Sequence, residues 1–270
     1  LEGVMTQHDF GAHLGAEATR VLAALGDEPL HVEARGLLLH RPAAVVLLDR
    51  AGETNDASVH GFVFAAEHGM AIGFGQPPVA LADELRDLAD DHGMVQEGLE
   101  LHLPLASSEE WLALPDAKSL GLHRVQVIPG LPPDSSEQGG CLEALVRHEY
   151  AVLESRREPL LETLPRALRA EFEAMRPWPF VVASLAGESI ASIASAFVET
   201  ESYFDVSIDT VSDFRRFGFG AACAAALILE QRKRGKRPVW MVREKNRGSL
   251  ALSSKLGFRD VGRVQGLRLL

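Results

Sequence analysis

Hydrophobic and polar positions along this chain alternate between helical and strand periods. Apolar residues at Leu14, Ala18, Val21, Leu22 and Leu25 recur every three or four positions, which predicts a helix over 10–25. Residues 43–49 form a short apolar run suited to a buried strand, and Gly52-Glu53-Thr54-Asn55-Asp56 is turn chemistry. Two strands are predicted over 59–66 and 70–75, about the turn Glu67-His68-Gly69. Pro77-Pro78 stops the second of them. Leu81, Leu85 and Leu88 then fall on one face of a helix over 79–91. A strand over 99–105 and a short helix over 107–112 follow. Residues 115–122 read as a linker, so domains are expected at 1–118 and 119–270, with the first a small α+β unit. No internal repeat is legible.

The second half begins with a strand over 123–128 and a Pro/Gly/Ser loop over 129–140. Helices are predicted over 141–157 and 159–176. Three strands in a meander follow at 180–185, 189–198 and 203–210. The last stretch reads helix 218–235, strand 238–242, helix 248–256 and strand 258–264. This order predicts an α/β class with a mixed sheet.

Composition narrows the function classes. The 270 residues are 46% hydrophobic and 24% charged, the balance of a soluble globular protein. A net charge of -11 argues against wrapping a nucleic-acid backbone and weakly favours a cationic or amine partner. The two cysteines, Cys141 and Cys223, have no metal-ligand spacing, so no metal is expected. With no long apolar run and no signal-type leader, a cytoplasmic protein without a membrane partner is expected.

Two clusters carry chemistry. Arg215-Arg216-Phe217-Gly218-Phe219-Gly220 follows a predicted strand and opens a helix. Amides at a helix N-terminus bind phosphates when side chains leave room, and Gly218 and Gly220 provide that room. Downstream, Asn246-Arg247-Gly248-Ser249 leads a helix that ends at Lys255-Leu256-Gly257-Phe258. Asn246 suits an N-cap, and Gly257 suits a C-cap.

The ordered pair resembles the GNAT superfamily of acetyl-CoA-dependent N-acetyltransferases. The resemblance implies the GNAT acyl-CoA N-acyltransferase fold, preceded here by an accessory α+β domain. It implies transfer of an acetyl group from acetyl-CoA, as co-substrate, to a primary amine of a small molecule or peptide, and it allows a homodimer. A non-catalytic acyl-CoA-binding or regulatory module is the alternative.

By that resemblance Arg215, Arg216, Phe217, Gly218, Phe219, Gly220 and Ala221 cradle the pyrophosphate. Ile208, Asp209 and Thr210 line the acyl arm, beside a strand bulge. Asn246 and Ser249 hold the same arm. Asp205 is the expected general base. Ser253 stands where many relatives carry a tyrosine that protonates the leaving thiolate, with Ser254 and Tyr203 as substitutes. Glu199 and Glu201 are expected to attract a cationic amine. The basic run 232–237 is expected to complement a helix dipole, with contact to an adenosine 3′-phosphate as a lesser reading. None of the ten histidines reads as catalytic.

Overall fold

The structure, a computed structural model, describes residues 16–40, 44–49, 59–66, 69–94, 98–130, 139–153, 164–166, 168–169 and 181–270. They form two compact units that are not contiguous in sequence. One contains 1–125, 243–245 and 261–270, and the other 126–242 and 246–260.

The first unit opens with helices α1 (Ala16–Leu25) and α2 (Val32–His40). The sequence did not predict α2. Val32, Ala34, Leu37 and Leu38 are all buried, along with Glu33 and Gly36, so the helix lacks a broad polar face to set a period. Strands β1 (Val45–Leu48), β2 (Gly61–Ala65) and β3 (Met70–Phe74) pair antiparallel in succession. Gly61 is required there, because a Cβ would lie 2.0 Å from the Leu47 carbonyl oxygen. Helix α3 (Ala82–Asp91) buries Leu85 and Leu88. Strand β4 (Leu99–Pro104) then runs parallel to β3 from Met70↔Glu100 to Ile72↔His102. Helix α4 (Ser108–Leu112) sends Trp111 into a core that includes Phe62, Phe64, Leu85, Leu101 and Leu103. Strand β5 (Ala117–Val127) begins inside 115–122, the segment expected to be a linker. Its Lys, Ser, Leu and His positions are held by sheet pairing, which local turn residues do not reveal.

The second unit contains α5 (Gly139–Glu143), β6 (Tyr150–Leu153), β7 (Val181–Ala186), β8 (Ser189–Glu199), β9 (Tyr203–Thr210), α6 (Phe219–Lys233), β10 (Arg237–Arg243) and α7 (Arg247–Lys255). The helix expected over 141–157 is overturned. Only its first turn is helical, and Tyr150–Leu153 pairs antiparallel with Val181–Ser184. Tyr, Val and Leu gain more from extending the sheet than from a helical stripe. The helix expected over 159–176 lies largely outside the described residues. Strands run in the order β10-β9-β8-β7-β6. Only β9 and β10 pair parallel. Helix α6 is buried along Ala221–Ile228 and packs with Phe204, Trp240 and Phe258. Its small residues let it lie close to the sheet.

The last strand, β11 (Arg259–Leu269), pairs antiparallel with β4 from Val264↔Pro104 to Leu269↔Leu99. In the first unit the strand order is therefore β1-β2-β3-β4-β11-β5. The two units share a connectivity the sequence did not reveal. In each, three antiparallel strands lead through a helix to a strand parallel to the third.

Candidate active site

In the second unit, β9 and β10 pair only from Tyr203↔Arg237 to Asp205↔Val239. Beyond that point they part. Asp205 sits at the fork, buried, and its Oδ1 accepts the Met241 N–H at 3.2 Å. A β10 amide that would have met β9 backbone is thus satisfied by a side chain.

A cavity of about 510 Å³ opens beyond the fork. Ile208, Asp209 and Thr210 from β9 line it, with Arg215, Arg216 and Gly218 from the loop and Gly220 and Ala221 from α6. Asn246, Gly248, Ser249, Leu252 and Lys255 form its other wall. Ten of the predicted cofactor residues meet here. Phe217 and Phe219 do not line this cavity. Phe217 is 69% exposed, and Phe219 is buried with its ring stacked on His148 at 3.9 Å between centroids.

The loop geometry follows from its residues. Gly218 is the α6 N-cap at φ 95, and no side chain caps the helix. Its first amides are therefore open to an anion, with the helix dipole behind them. Arg216 also takes a left-handed conformation, at φ 69. Outside glycine this costs on the order of 1–2 kcal/mol, the kind of strain that collects at working sites. Two contacts hold the loop. Arg215 Nε donates to the Thr210 carbonyl at 3.1 Å, and His148 Nε2 lies 3.0 Å from the Phe217 carbonyl. That pairing places a proton on His148 Nε2. A Cβ on Gly220 would stand 2.9 Å from Thr210 Oγ1, so glycine alone fits there.

On the other wall, Asn246 Oδ1 caps α7 by accepting the Ser249 N–H at 3.1 Å. Its NH2 is left to donate to a ligand. Ser249 Oγ accepts from Trp240 Nε1 at 2.9 Å.

The remaining expectations fare differently. Ser253 is fully buried, and its hydroxyl donates to the Leu250 carbonyl at 3.1 Å, away from the cavity lining. The bulge expected at 208–210 is elsewhere. Register there is regular, and the shift falls between Ala196 and Glu199 on β8. Glu199 is buried and already bonded, by Gln231 Nε2 at 2.6 Å, Arg234 Nη1 at 3.3 Å and Lys236 Nζ at 3.7 Å. Much of the 232–237 run is explained by that carboxylate. Arg237 lies over the Tyr203 ring at 4.2 Å, at the opposite end of β9 from the cavity. Both cysteines are free thiols, and burial pushes the Cys223 thiol up to about 12, which makes it a packing residue. Gly248, Leu252 and Lys255 were missed by sequence reasoning, though their spacing on α7 marks them as one face. His148 carried no signal, being distant in sequence from the loop it touches.

The same fork in the first unit is closed. After β3 come Pro77 and Pro78, which have no amide to give, and Gln76 N–H donates to His60 Nδ1 at 2.8 Å. Trp111 Nε1 donates to the Pro77 carbonyl at 2.9 Å, and Leu103 and Pro77 crowd Gly73 to within 3.1 Å of where a Cβ would be.

Also in the first unit, Glu100, His102 and His123 bring metal-capable atoms within 4.8 Å of one another. Most of those atoms are engaged otherwise, His123 Nδ1 being buried without a hydrogen-bond partner. His102 Nδ1 is 2.7 Å from Glu33 Oε2, and its Nε2 is 3.3 Å from Glu100 Oε1. Arg243 donates to Glu100 at 2.7 Å and to His123 Nε2 at 3.1 Å, while Arg268 reaches Glu100 at 3.3 Å. Burial works to lower the His102 pKa, but the Glu33 charge and the hydrogen bonds to both carboxylates push it up to about 10. The His102 hydrogen bond, with Arg243 behind it, holds Glu100 down at about 2 against the opposing effect of burial. Burial, then the positive His102 beside it, holds His123 down at about 4. The cluster is a buried ion-pair network, already filled by its own cations.

A sheet that forks beside an uncapped, glycine-opened helix leaves backbone amides open at one cavity. Residues 180–267 match the family model of the GNAT acetyltransferases, and this segment is a GNAT acetyltransferase domain. Solved structures share the fold. A GCN5-related N-acetyltransferase-like protein from Streptococcus suis aligns at TM-score 0.63 and 20% identity, covering 96% of this chain and 100% of that one. A tandem GNAT protein from the clavulanic acid biosynthesis pathway aligns at 0.56 and 15%, covering 96% of each chain. A GCN5-related N-acetyltransferase from Kribbella flavida aligns at 0.54 and 15%, covering 95% and 96%. A search of curated proteins finds no match. Among the described residues, no helix is long and apolar enough to cross a membrane.

Proposed function

We propose that this protein transfers an acetyl group from acetyl-CoA to a primary amine of a small-molecule or peptide acceptor. The family supports acyl transfer in general. The observation that carries the finer reading is the cavity that runs from the uncovered edge of β9 to the open N-terminus of α6, with Arg215, Arg216 and Lys255 around it. An extended thioester arm suits the edge of β9, and a pyrophosphate suits the helix end.

In the transfer the amine nitrogen bonds to the thioester carbonyl carbon, and the oxygen takes up the electron pair. Amides on the free edge of β9 stabilise that oxyanion. The carbon–sulfur bond then breaks, coenzyme A leaves as the thiolate, and water carries the amine proton away and protonates the sulfur. Positioning supplies the main rate gain. The second unit, 126–242 with 246–260, is assigned this chemistry and the first unit an accessory role. A cytoplasmic setting fits this use of acetyl-CoA.

Two substitutions test the roles assigned by sequence. Ser253→Ala is expected to leave kcat essentially unchanged, because the hydroxyl is bonded within α7. A large fall in kcat with CoA binding intact would restore Ser253 as a proton donor. Loss of a general base costs about a hundredfold or more. Asp205→Asn keeps an acceptor for the Met241 amide, and its kcat is expected to stay well above such a loss. A drop of that size would make Asp205 the base and water a bystander.

A second reading, a non-catalytic acyl-CoA-binding module, is favoured by the engagement of Asp205 and Ser253 outside the cavity lining. Thiol release from acetyl-CoA across a panel of polyamines, amino acids, aminoglycosides and peptide N-termini separates the two. Amine-dependent release supports the enzyme. Tight acetyl-CoA binding without release from any amine supports the module.

A further inference from the structure

Two hydroxyls meet at the end of β9 in the second unit, and the contacts around them fix where their protons lie. Ser192, on β8, pairs in register with Thr210 on β9. Ser192 is fully buried and does not line the cavity, whereas Thr210 is partly buried and does. Ser192 Oγ lies 2.6 Å from the Asp209 carbonyl oxygen, a separation that two oxygens hold only with a hydrogen between them. The carbonyl has no proton, so the serine donates. Its single proton is thereby committed, yet Thr210 Oγ1 also lies 2.9 Å from Ser192 Oγ. That second contact is carried by the threonine proton, with Ser192 Oγ accepting. Cys223 on α6 leaves this order undisturbed, because its thiol faces the Val182 and Ser192 carbonyls at 3.2 Å and 3.5 Å.

Thr210 Oγ1 therefore keeps lone pairs and has no proton to give. A free hydroxyl turns to suit a donor or an acceptor, but this one is set as an acceptor by a residue behind it. The Thr210 backbone is held as well, its carbonyl accepting from Arg215 Nε at 3.1 Å. We propose that Ser192 is a positioning residue that makes Thr210 an acceptor-only group in the cavity wall. The site then selects an acyl donor whose arm carries an amide N–H at that point, and rejects one with an ester oxygen there. This role rests on the acyl-CoA reading above. Thr210 is the last residue of β9, between the strand edge that suits the arm and the α6 N-terminus that suits the pyrophosphate, so the arm must pass it. The arm of coenzyme A contains two amides. Exchanging the facing N–H for an oxygen sets lone pairs against lone pairs and leaves Thr210 Oγ1 unsatisfied.

The test is calorimetric titration of acetyl-CoA and of its two analogues in which one arm amide is replaced by an ester. The proteins are wild type, Ser192→Ala, Thr210→Val and Thr210→Ser. Wild type is expected to bind one of the ester analogues roughly tenfold more weakly than acetyl-CoA. Ser192→Ala changes no atom of the cavity lining but releases the Thr210 proton, and the ratio is expected to shrink toward one. Thr210→Val removes the acceptor and is expected to shrink it too, whereas Thr210→Ser keeps the ordered pair and the ratio. A merely structural role for Ser192 would weaken all three ligands alike and leave the ratio untouched. Should loss of the buried serine impair folding, the comparison of Thr210→Val with Thr210→Ser carries the test. A ratio that survives Ser192→Ala or Thr210→Val, or equal affinities for all three ligands in wild type, overturns the proposal while leaving the acyl-CoA reading in place. Failure of wild type to bind acetyl-CoA takes down both.

Discussion

Replacing Gly218 by glutamate is expected to weaken acetyl-CoA binding by at least about a hundredfold. At φ 95 a side chain is strained by about 1–2 kcal/mol, since only glycine enters this region freely. The added Cβ itself meets nothing closer than His148 Nε2 at 3.4 Å, so the helix can still form. The carboxylate is the larger effect. It places a negative charge at the helix end where the pyrophosphate must lie, and repulsion there is on the order of 3–4 kcal/mol at protein-surface dielectric. Strain and charge together amount to a loss of at least about a hundredfold in affinity. Gly218→Ala separates the two contributions, because it carries the strain without the charge and is expected to lose roughly tenfold. Titration of acetyl-CoA into the three proteins reads both numbers. Wild-type affinity in the glutamate variant would show that the α6 N-terminus is not the phosphate site.

Removing Glu33 is expected to destabilise the first unit more than any surface change. Glu33 and His102 are both buried, at 5% and 7% exposure, and their atoms lie 2.7 Å apart. Taking one partner from a buried pair costs about 3–5 kcal/mol, and with Glu100 still 3.3 Å from the His102 ring a loss near the lower end, about 3 kcal/mol, is expected. For a chain of this size that lowers Tm by roughly 10 °C. The pH dependence identifies the cause. His102 keeps its proton up to about 10, above its ordinary value of 6.5. Its contribution is therefore complete below 6.5 and is lost as pH rises toward 10. His123, held at about 4, acts in the other direction. The unfolded chain takes up a proton below 6.5 that the folded one refuses, so stability falls from 6.5 toward 4. Glu100, held at about 2, adds stability that is present above 4.5 and lost as pH falls through 2. Wild-type Tm is expected to be greatest near pH 6.5 and to decline on the alkaline side. Glu33→Gln is expected to flatten that alkaline decline. A decline unchanged in the variant would show that His102 does not hold its proton there through Glu33.

The parts of this protein legible in its sequence are those whose cause is local. Gly218 and Gly220 announce a backbone that must turn left and admit close neighbours, and Asn246 announces a helix start, whatever the rest of the chain does. Short apolar runs such as Tyr203–Thr210 declare strands for the same reason. Partnerships between distant segments decided the rest. Whether 150–153 is helix or strand depended on an open edge at Val181–Ser184. Asp205 and Ile208 share one strand, yet only the point at which β10 departs makes one a bridge and the other a cavity wall. Ser253 is buried with its hydroxyl bonded inside α7, which a hydroxyl on a helix cannot signal in sequence. His148 meets the Phe217 carbonyl across the fold, a contact no local pattern announces. Backbone requirements are written residue by residue, whereas burial and hydrogen-bond partners exist only once the chain has closed on itself.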